Sequence, residues 1–365
     1  MLLVLSVLWG LSLSSSLTSV SQAYETDQLR GRHLVVPDVT LQVDSYVNHA
    51  LERARLRARE KFEETDESIS LSEAEQIVRD EVIEEFPWLK LYFGTPMEKW
   101  MTEVLAPKGY AIEPGGPGTG MSVNIYDRAS RMYRMNPLRD LPTPAMVLSF
   151  ANAVSGTSLA PTFMSNGVRY GADKWSHFFR LGYRYYMRSK GGTDTAAALA
   201  YGTGTEQGGV GYMSSGALSY ADLAANYDGY RFFRDLFDSQ LGNFSLDLIE
   251  KTQRIGRSRK FRMIQTWDLQ WIAPFRSIDY VSHDWDEYLN PNVYRPHFLR
   301  AIRLHLQEER ETVCREYSEW REEAKYQKYT LRDKREYVDL SQSRPQVEPF
   351  GLEDLCGYKS RLEVR

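Results

Sequence analysis

The chain has 365 residues, of which 42% are hydrophobic and 13% aromatic, and 49 acidic against 45 basic side chains give a formal net charge of −4. This composition predicts a globular protein and excludes collagen-like, mucin-like and disordered chains. The charge lacks the basic surplus that a nucleic-acid-binding protein needs to neutralise phosphates, so no nucleic-acid partner is expected.

The first segment has the pattern of a signal peptide. Residues 1–23 carry no charged side chain, are apolar as far as Leu13, and end in Ser21-Gln22-Ala23, with small residues at both positions that determine cleavage. We therefore expect cleavage after Ala23 and a periplasmic or secreted location. No later segment reaches the roughly 18 apolar residues of a membrane span, so no transmembrane span is expected in the mature chain.

An N-terminal arm over residues 24–106 is predicted to be charged and helical. Glu and Arg dominate the stretch from Asp44 to Glu85, and Ser70 with Glu73 forms a capping-box pattern. The pattern predicts two helices. The second helix has an apolar stripe formed by Leu71, Ala74, Val78, Val82 and Phe86.

The remaining chain divides into three predicted regions. Residues 107–143 form a Gly/Pro-rich loop region, with a small hairpin over 121–126. Residues 144–245 form a central helical core, and residues 246–365 a Trp-rich and charged C-terminal helical region that includes a long helix over 296–329. The predicted class is mainly α: a central antiparallel helical hairpin or bundle with peripheral helices and long irregular loops.

Three consecutive helices are predicted in the central core. They run from Ala172 to Lys190, from Thr193 to Gln207, and from Ser219 to about Gln240. Small residues four apart on the second helix predict a close approach of a neighbouring helix at Ala196, Ala200 and Gly204.

Polar residues recur on these three helices. Asp173 and His177 lie at positions i and i+4, as do Asp222 and Asn226, and Glu206 falls between the two pairs in the sequence. Carboxylate and imidazole groups that meet in this way can ligate a metal ion or act as an acid and a base, and Asp173 can hold the tautomer of His177. We therefore predict that the five residues form one cluster.

A structural role is the competing interpretation of this cluster. Asp222 occupies the third position of a capping box that begins at Ser219, His177 suits a core position beside Phe178, and Asn226 can bond to a neighbouring helix. The residues identify neither a cofactor nor a particular metal. An open groove at Glu206 would indicate an enzyme, and a closed, hydrogen-bonded network would indicate a structural role.

The spacing of these residues resembles that of a known family. Asp173-Lys174-x-x-His177-Phe178, Glu206-Gln207 and Ser219-x-x-Asp222-x-x-x-Asn226-x-x-Gly229 resemble the pattern of the VanZ-like proteins and the related YfiM-type family of predicted periplasmic proteins. The resemblance covers under a fifth of the chain. It implies a helical protein associated with a cell-envelope component and carrying a shared polar core, and it implies no settled activity.

A second pattern offers an enzymatic alternative. Glu206, Gly211-Tyr212-Met213 and Asn226-Tyr227-Asp228-Gly229 follow the order of motifs in lysozyme-like lytic transglycosylases. This resemblance implies a peptidoglycan-acting glycosidase in which Glu206 is the catalytic general acid that protonates the glycosidic oxygen.

Two further features concern the C-terminal region. Cys314 and Cys356 are the only cysteines, and an even pair in an exported chain predicts one disulfide. The acidic run over 282–287 is predicted to form an aromatic turn, because consecutive side chains point in different directions and do not converge on one ligand.

Overall fold

Helices dominate the described part of the chain in the computed structural model, and the predicted mainly α class is confirmed. The structure describes residues 25–26, 31–65, 68–86, 96–112, 159–207, 211–212, 217–237, 244–254, 261–324, 329–340 and 349–357. The predicted signal peptide and the predicted hairpin over 121–126 lie outside these residues. Within the described residues, every helix is too short or too polar to cross a membrane.

The N-terminal arm contains the two predicted helices, α1 (Thr40–Glu64) and α2 (Leu71–Glu85). The capping box at the start of α2 is present: the backbone N–H of Glu73 donates to Ser70 Oγ at 3.3 Å, and that of Ser70 donates to the Glu73 carboxylate at 2.8 Å. The first position of the predicted stripe, Leu71, is the first residue of the helix and is exposed. The other four positions are buried: Ala74, Val78, Val82 and Phe86.

Helix α3 (Pro96–Trp100) continues through a π turn over Met101–Leu105. Three short strand pairs follow or flank the helices. β1 (Glu25–Thr26) pairs in parallel with β2 (Leu159–Ala160), β3 (Thr162–Ser165) is antiparallel to β4 (Val168–Gly171), and β5 (Ala217–Leu218) is antiparallel to β8 (Val293–Tyr294). The first and third pairs link segments that are distant in the sequence, whereas β3 and β4 form a local hairpin.

The central core contains three helical segments in contact. The first begins as α4 (Asp173–Ser176), passes through a π turn over His177–Leu181, and continues as α5 (Gly182–Arg188). It is followed by α6 (Thr195–Gln207) and α7 (Tyr220–Phe237). Helices α5 and α7 approach closely at two glycines: a Cβ on Gly182 would lie 2.5 Å from the backbone of Gly229.

The predicted small-residue face of α6 is not the packed face. Ala196 and Gly204 are exposed, and the buried positions of this helix include Ala198, Gly202 and Glu206. The neighbour is the side chain of Tyr185 and not a helix backbone, since a Cβ on Gly202 would lie 1.4 Å from the Tyr185 hydroxyl. The prediction therefore placed the close approach on the wrong side of the helix.

A long β-hairpin follows the central core, at the start of the region over 246–365 that was predicted to be Trp-rich, charged and helical. Strands β6 (Phe244–Arg254) and β7 (Phe261–Trp271) pair antiparallel, with Phe244 opposite Trp271. Two indole N–H groups attach the hairpin to the N-terminal arm: Trp267 donates to the carbonyl of Ile69 at 2.9 Å and Trp271 to that of Leu51 at 3.2 Å. The Trp-rich stretch is therefore an anchor for a sheet.

The predicted long helix over 296–329 is two helices, α8 (Pro296–Glu308) and α9 (Arg310–Ala324). A short helix, α10 (Leu352–Cys356), follows. Cys314 on α9 and Cys356 on α10 are joined by a disulfide, with their Cα atoms 5.4 Å apart. The predicted pairing is present, and it fastens the short helix to the preceding one.

Candidate functional site

The structure brings the five predicted residues together between α4, the following π turn, α6 and α7. The imidazole of His177 is the centre of the group: its Nδ1 lies 3.0 Å from Asn226 Oδ1 and 3.9 Å from Glu206 Oε1. Its Nε2 lies 3.4 Å from Asp222 Oδ2. We name this group, together with Asp173, Lys174 and Glu287 described below, the central cluster.

Asp222 and His177 both lie near the start of a helical segment. The backbone N–H of Asp222 donates to Ser219 Oγ at 3.1 Å, so the predicted N-cap at Ser219 is present. The carboxylate of Asp222 turns inward to His177, so its side chain does more than the predicted capping role requires. His177 begins the π turn, a local widening of the helix that is often found at functional sites.

Lys174 is a member of the cluster that the sequence analysis did not assign. Its side chain is fully buried, and its Nζ lies 2.6 Å from both Asp173 Oδ2 and Asp222 Oδ1. The same Nζ donates to Glu287 Oε1. Asp173 therefore pairs with the neighbouring lysine and not with His177, whose two ring nitrogens face α6 and α7 side chains. This corrects the expectation that Asp173 holds the histidine tautomer.

Glu287 reaches the cluster from the segment that follows the hairpin, 113 positions from Lys174 in the sequence. Asn292 Nδ2 donates to its other oxygen, Oε2, at 3.1 Å. Glu287 belongs to the acidic run over 282–287, and the three acidic side chains of that run at 284, 286 and 287 have different partners. Asp284 pairs with Arg332, Asp286 with Arg32, and Glu287 with Lys174.

Burial controls the ionisation of the cluster. It raises the pKa of Glu206 well above its ordinary value, with a further rise from the nearby charge of Asp222. It also raises the pKa of Glu287 to about 8 and lowers the pKa of His177, which favours the neutral imidazole. Carboxyl groups of Asp173, Asp222 and Glu287 contact the one ammonium group of Lys174, and the raised pKa values of Glu206 and Glu287 favour the protonated forms of these two groups.

Glu206 is the least satisfied of these groups. The residue is 1% exposed, and among the described residues its Oε1 has no hydrogen-bond partner. The chain passes close by at Gly211, where a Cβ would lie 2.5 Å from Glu206 Oε2. A buried carboxylate oxygen without a donor is costly, so its retention calls for a functional explanation.

A cavity of about 350 Å³ lies elsewhere, between the hairpin and α7. Its lining includes Phe232, Trp271, Phe275 and Tyr280, and it contains no member of the central cluster. The cluster itself reaches solvent through His177, whose side chain is 12% exposed. The carboxyl and ammonium groups of the cluster are 4% exposed or less, so His177 is its most exposed side chain.

Three side chains of the cluster are arranged so that they can hold a metal ion. Asp173, His177 and Asp222 each offer one ligand atom, and these atoms lie within 4.8 Å of one another. Asn226 and Glu206 lie on the opposite side of the imidazole, where they contact Nδ1.

The fold and this site define a mainly α protein with a buried, charged central cluster. No family model, curated protein or solved structure matches the chain.

Proposed function

We propose that this chain is an exported, envelope-associated binding protein whose central cluster takes up a cation. The signal-peptide pattern of residues 1–23 and the pairing of Cys314 with Cys356 support export, because disulfides persist in oxidising compartments. The resemblance of the central helices to the VanZ-like and YfiM-type proteins supports an association with the cell envelope.

The observation that carries the proposal is the unpartnered oxygen of Glu206. A carboxylate that is 1% exposed is costly to ionise unless a positive charge or a donor lies beside it. The ammonium of Lys174 is already shared among Asp173, Asp222 and Glu287. An additional cation at the cluster would compensate the remaining negative charge and stabilise the folded state.

The second candidate function is hydrolysis of peptidoglycan with Glu206 as the general acid. The raised pKa of Glu206 favours it, because a general acid must hold its proton near neutral pH. The burial of the carboxylate favours binding, since a general acid must come within hydrogen-bond reach of the glycosidic oxygen. Binding is therefore the function that the geometry supports better.

Thermal unfolding in the presence of simple cations tests the proposal. The purified chain is titrated with chloride salts of magnesium, calcium, manganese and zinc, and with small primary amines. We expect at least one of them to raise the melting temperature in a saturable way, because a ligand that binds only the folded state stabilises it. Glu206→Gln should weaken that binding about tenfold, as loss of a supporting carboxylate does.

Glu250→Gln is the matched control, because Glu250 is exposed on the hairpin and the change removes the same charge. It should leave cation binding unchanged. If no cation in the panel shifts the transition, or if the chain cleaves peptidoglycan and Glu206→Gln abolishes the cleavage, the binding proposal is wrong.

A further inference from the structure

We propose that the cation is a divalent transition-metal ion, bound by His177 Nε2 together with the carboxylates of Asp173 and Asp222. This inference rests on the proposed function of cation binding and specifies its ligand. Asn226 and Glu206 then act as positioning residues behind the imidazole.

The hydrogen bonds around His177 determine which ring nitrogen is free. Asn226 Nδ2 donates to the hydroxyl of Tyr185 at 3.3 Å, which turns the amide oxygen, Oδ1, toward the imidazole. An amide oxygen only accepts, so Nδ1 of His177 carries the hydrogen of the 3.0 Å contact. In the neutral ring, Nε2 is therefore left with a bare lone pair.

That lone pair faces another acceptor. Asp222 Oδ2 lies 3.4 Å from His177 Nε2, so two electron-rich atoms stand opposite each other in a buried site. Two ligands bonded at about 2.1 Å to a tetrahedral ion stand about 3.4 Å apart, so the observed separation suits a shared metal ion. A metal ion between the atoms would turn a repulsive contact into an attractive one.

Asp222 can serve the metal ion and Lys174 at the same time. Its Oδ1 lies 2.6 Å from Lys174 Nζ, and its other oxygen, Oδ2, is the one that faces the histidine. Lys174 also holds Asp173 Oδ2 at 2.6 Å. The lysine therefore holds one oxygen of each of these two carboxylates.

The unpartnered oxygen of Glu206, Oε1, supplies an independent indication. Its Oε1 lies 3.9 Å from His177 Nδ1, on the side of the ring away from Asp222. Metal-bound histidines generally donate their second ring N–H to a carboxylate or a carbonyl group, which fixes the ring and increases its basicity. Asn226 Oδ1 accepts from this N–H at 3.0 Å, and Glu206 Oε1 lies 3.9 Å from Nδ1, where a carboxylate favours the positive charge that the ring gains on binding the ion.

The donor types select the metal. One imidazole with two carboxylates suits zinc, manganese or ferrous iron. Calcium requires six to eight oxygen ligands, and magnesium retains several waters, so both ions should bind this set weakly.

Titration with zinc and cobalt chloride tests the inference. The protein is first dialysed against a chelator, and binding is then measured by calorimetry and, for cobalt, by visible absorption. We expect one ion per chain. His177→Gln and Asp222→Asn should each weaken binding about 100-fold or more, because each removes a ligand. His49→Gln, which alters an exposed histidine on α1, is the matched control and should bind as the unchanged protein does.

A second measurement on the unchanged protein covers the case in which a ligand variant does not fold. Imidazole nitrogen resonances should show a hydrogen on Nδ1 of His177 before zinc is added, and zinc should shift the Nε2 signal. Zinc binding without a change at His177 would overturn the inference. Binding of an amine with no binding of zinc or cobalt would overturn the metal assignment alone, whereas failure of every cation would overturn the proposed function as well.

Discussion

Gly202 has no side chain, and this allows Tyr185 to support the central cluster. The hydroxyl of Tyr185 lies over the backbone of α6, where a Cβ on Gly202 would come within 1.4 Å of it. The same hydroxyl accepts the hydrogen bond of Asn226 Nδ2 at 3.3 Å. Gly202 therefore allows the tyrosine to orient the amide that contacts His177.

Gly202→Ala tests this dependence. The added methyl group must displace the Tyr185 ring, so we expect the free energy of unfolding to fall by about 1–3 kcal/mol, the usual cost of overpacking. The ring displacement should also disturb the hydrogen bond to Asn226. Chemical denaturation of the variant measures the first effect, and the His177 resonances report the second.

Gly204→Ala on the same helix is the control. Gly204 is exposed, so the alanine should be neutral or should stabilise the helix by up to about 1 kcal/mol through its higher helix propensity. Equal effects of the two substitutions would show that the tyrosine contact has no role in stability.

The spacing of residues along the helices was enough to predict part of the candidate site. Asp173 with His177 and Asp222 with Asn226 were predicted from helix periodicity, because residues four apart share a face. Lys174 could not be assigned in this way, since its role depends on carboxylates of three different segments. Glu287 lies 113 positions away, and no local pattern connects it to the helices.

The disulfide stabilises a part of the chain that has its own small hydrophobic core. Cys314 lies on α9 and Cys356 on α10, 42 positions apart. Tyr317, Trp320 and Leu352 form part of the buried apolar cluster between these helices. A five-residue helix has little stability of its own, so its position depends on this packing and on the covalent link.

Replacement of both Cys314 and Cys356 by alanine should lower the free energy of unfolding by ~3–4 kcal/mol, because the crosslink restricts the unfolded chain over 42 positions. Urea denaturation measures the change. Reductant should destabilise the unchanged protein to a similar extent and should have no effect on the double variant. A variant as stable as the oxidised protein would contradict the structural role of the bond.

Element boundaries were predicted best where caps are local. The capping box at Ser70 and the N-cap at Ser219 lie within four residues of the helices that they start, and both are present. The hairpin of β6 and β7 was missed because its strands gain their stability from distant partners, the carbonyls of Ile69 and Leu51. The continuous charge pattern after Pro296 likewise hid the division between α8 and α9.

Ion pairs join segments from both ends of the described chain to α7 and to the acidic run over 282–287. Arg32 forms two hydrogen bonds of 2.8 Å with the carboxylate of Asp286. Arg332 binds Asp228 at 2.7 and 2.6 Å and also reaches Asp284 at 3.0 Å. The acidic run over 282–287 is therefore a common attachment site for the central cluster and for segments before and after it.

The proposed export concerns the molecule as a whole. If residues 1–23 are a signal peptide, the protein recovered outside the cytoplasm should begin at Tyr24, which N-terminal sequencing determines. Ala23→Trp should block this cleavage, because signal peptidases require a small residue before the cut. Gln22→Asn should leave it unchanged. An intact Met1 on protein recovered from the cytoplasm would contradict the export proposal.

Because Arg332 follows both of its aspartate partners in the sequence, its ion pairs can form only late in synthesis of the chain. A ribosome delivers Asp228 and Asp284 first, and the guanidinium that joins them follows 104 and 48 positions later. Until Arg332 emerges, Asp228 has only one of its two guanidinium partners among the described residues, Arg231 on the same helix at 2.9 Å, and Asp284 lacks the guanidinium that binds it. The ion pairs that join α7 and the acidic run over 282–287 to this late segment can therefore form only after Arg332 has been made.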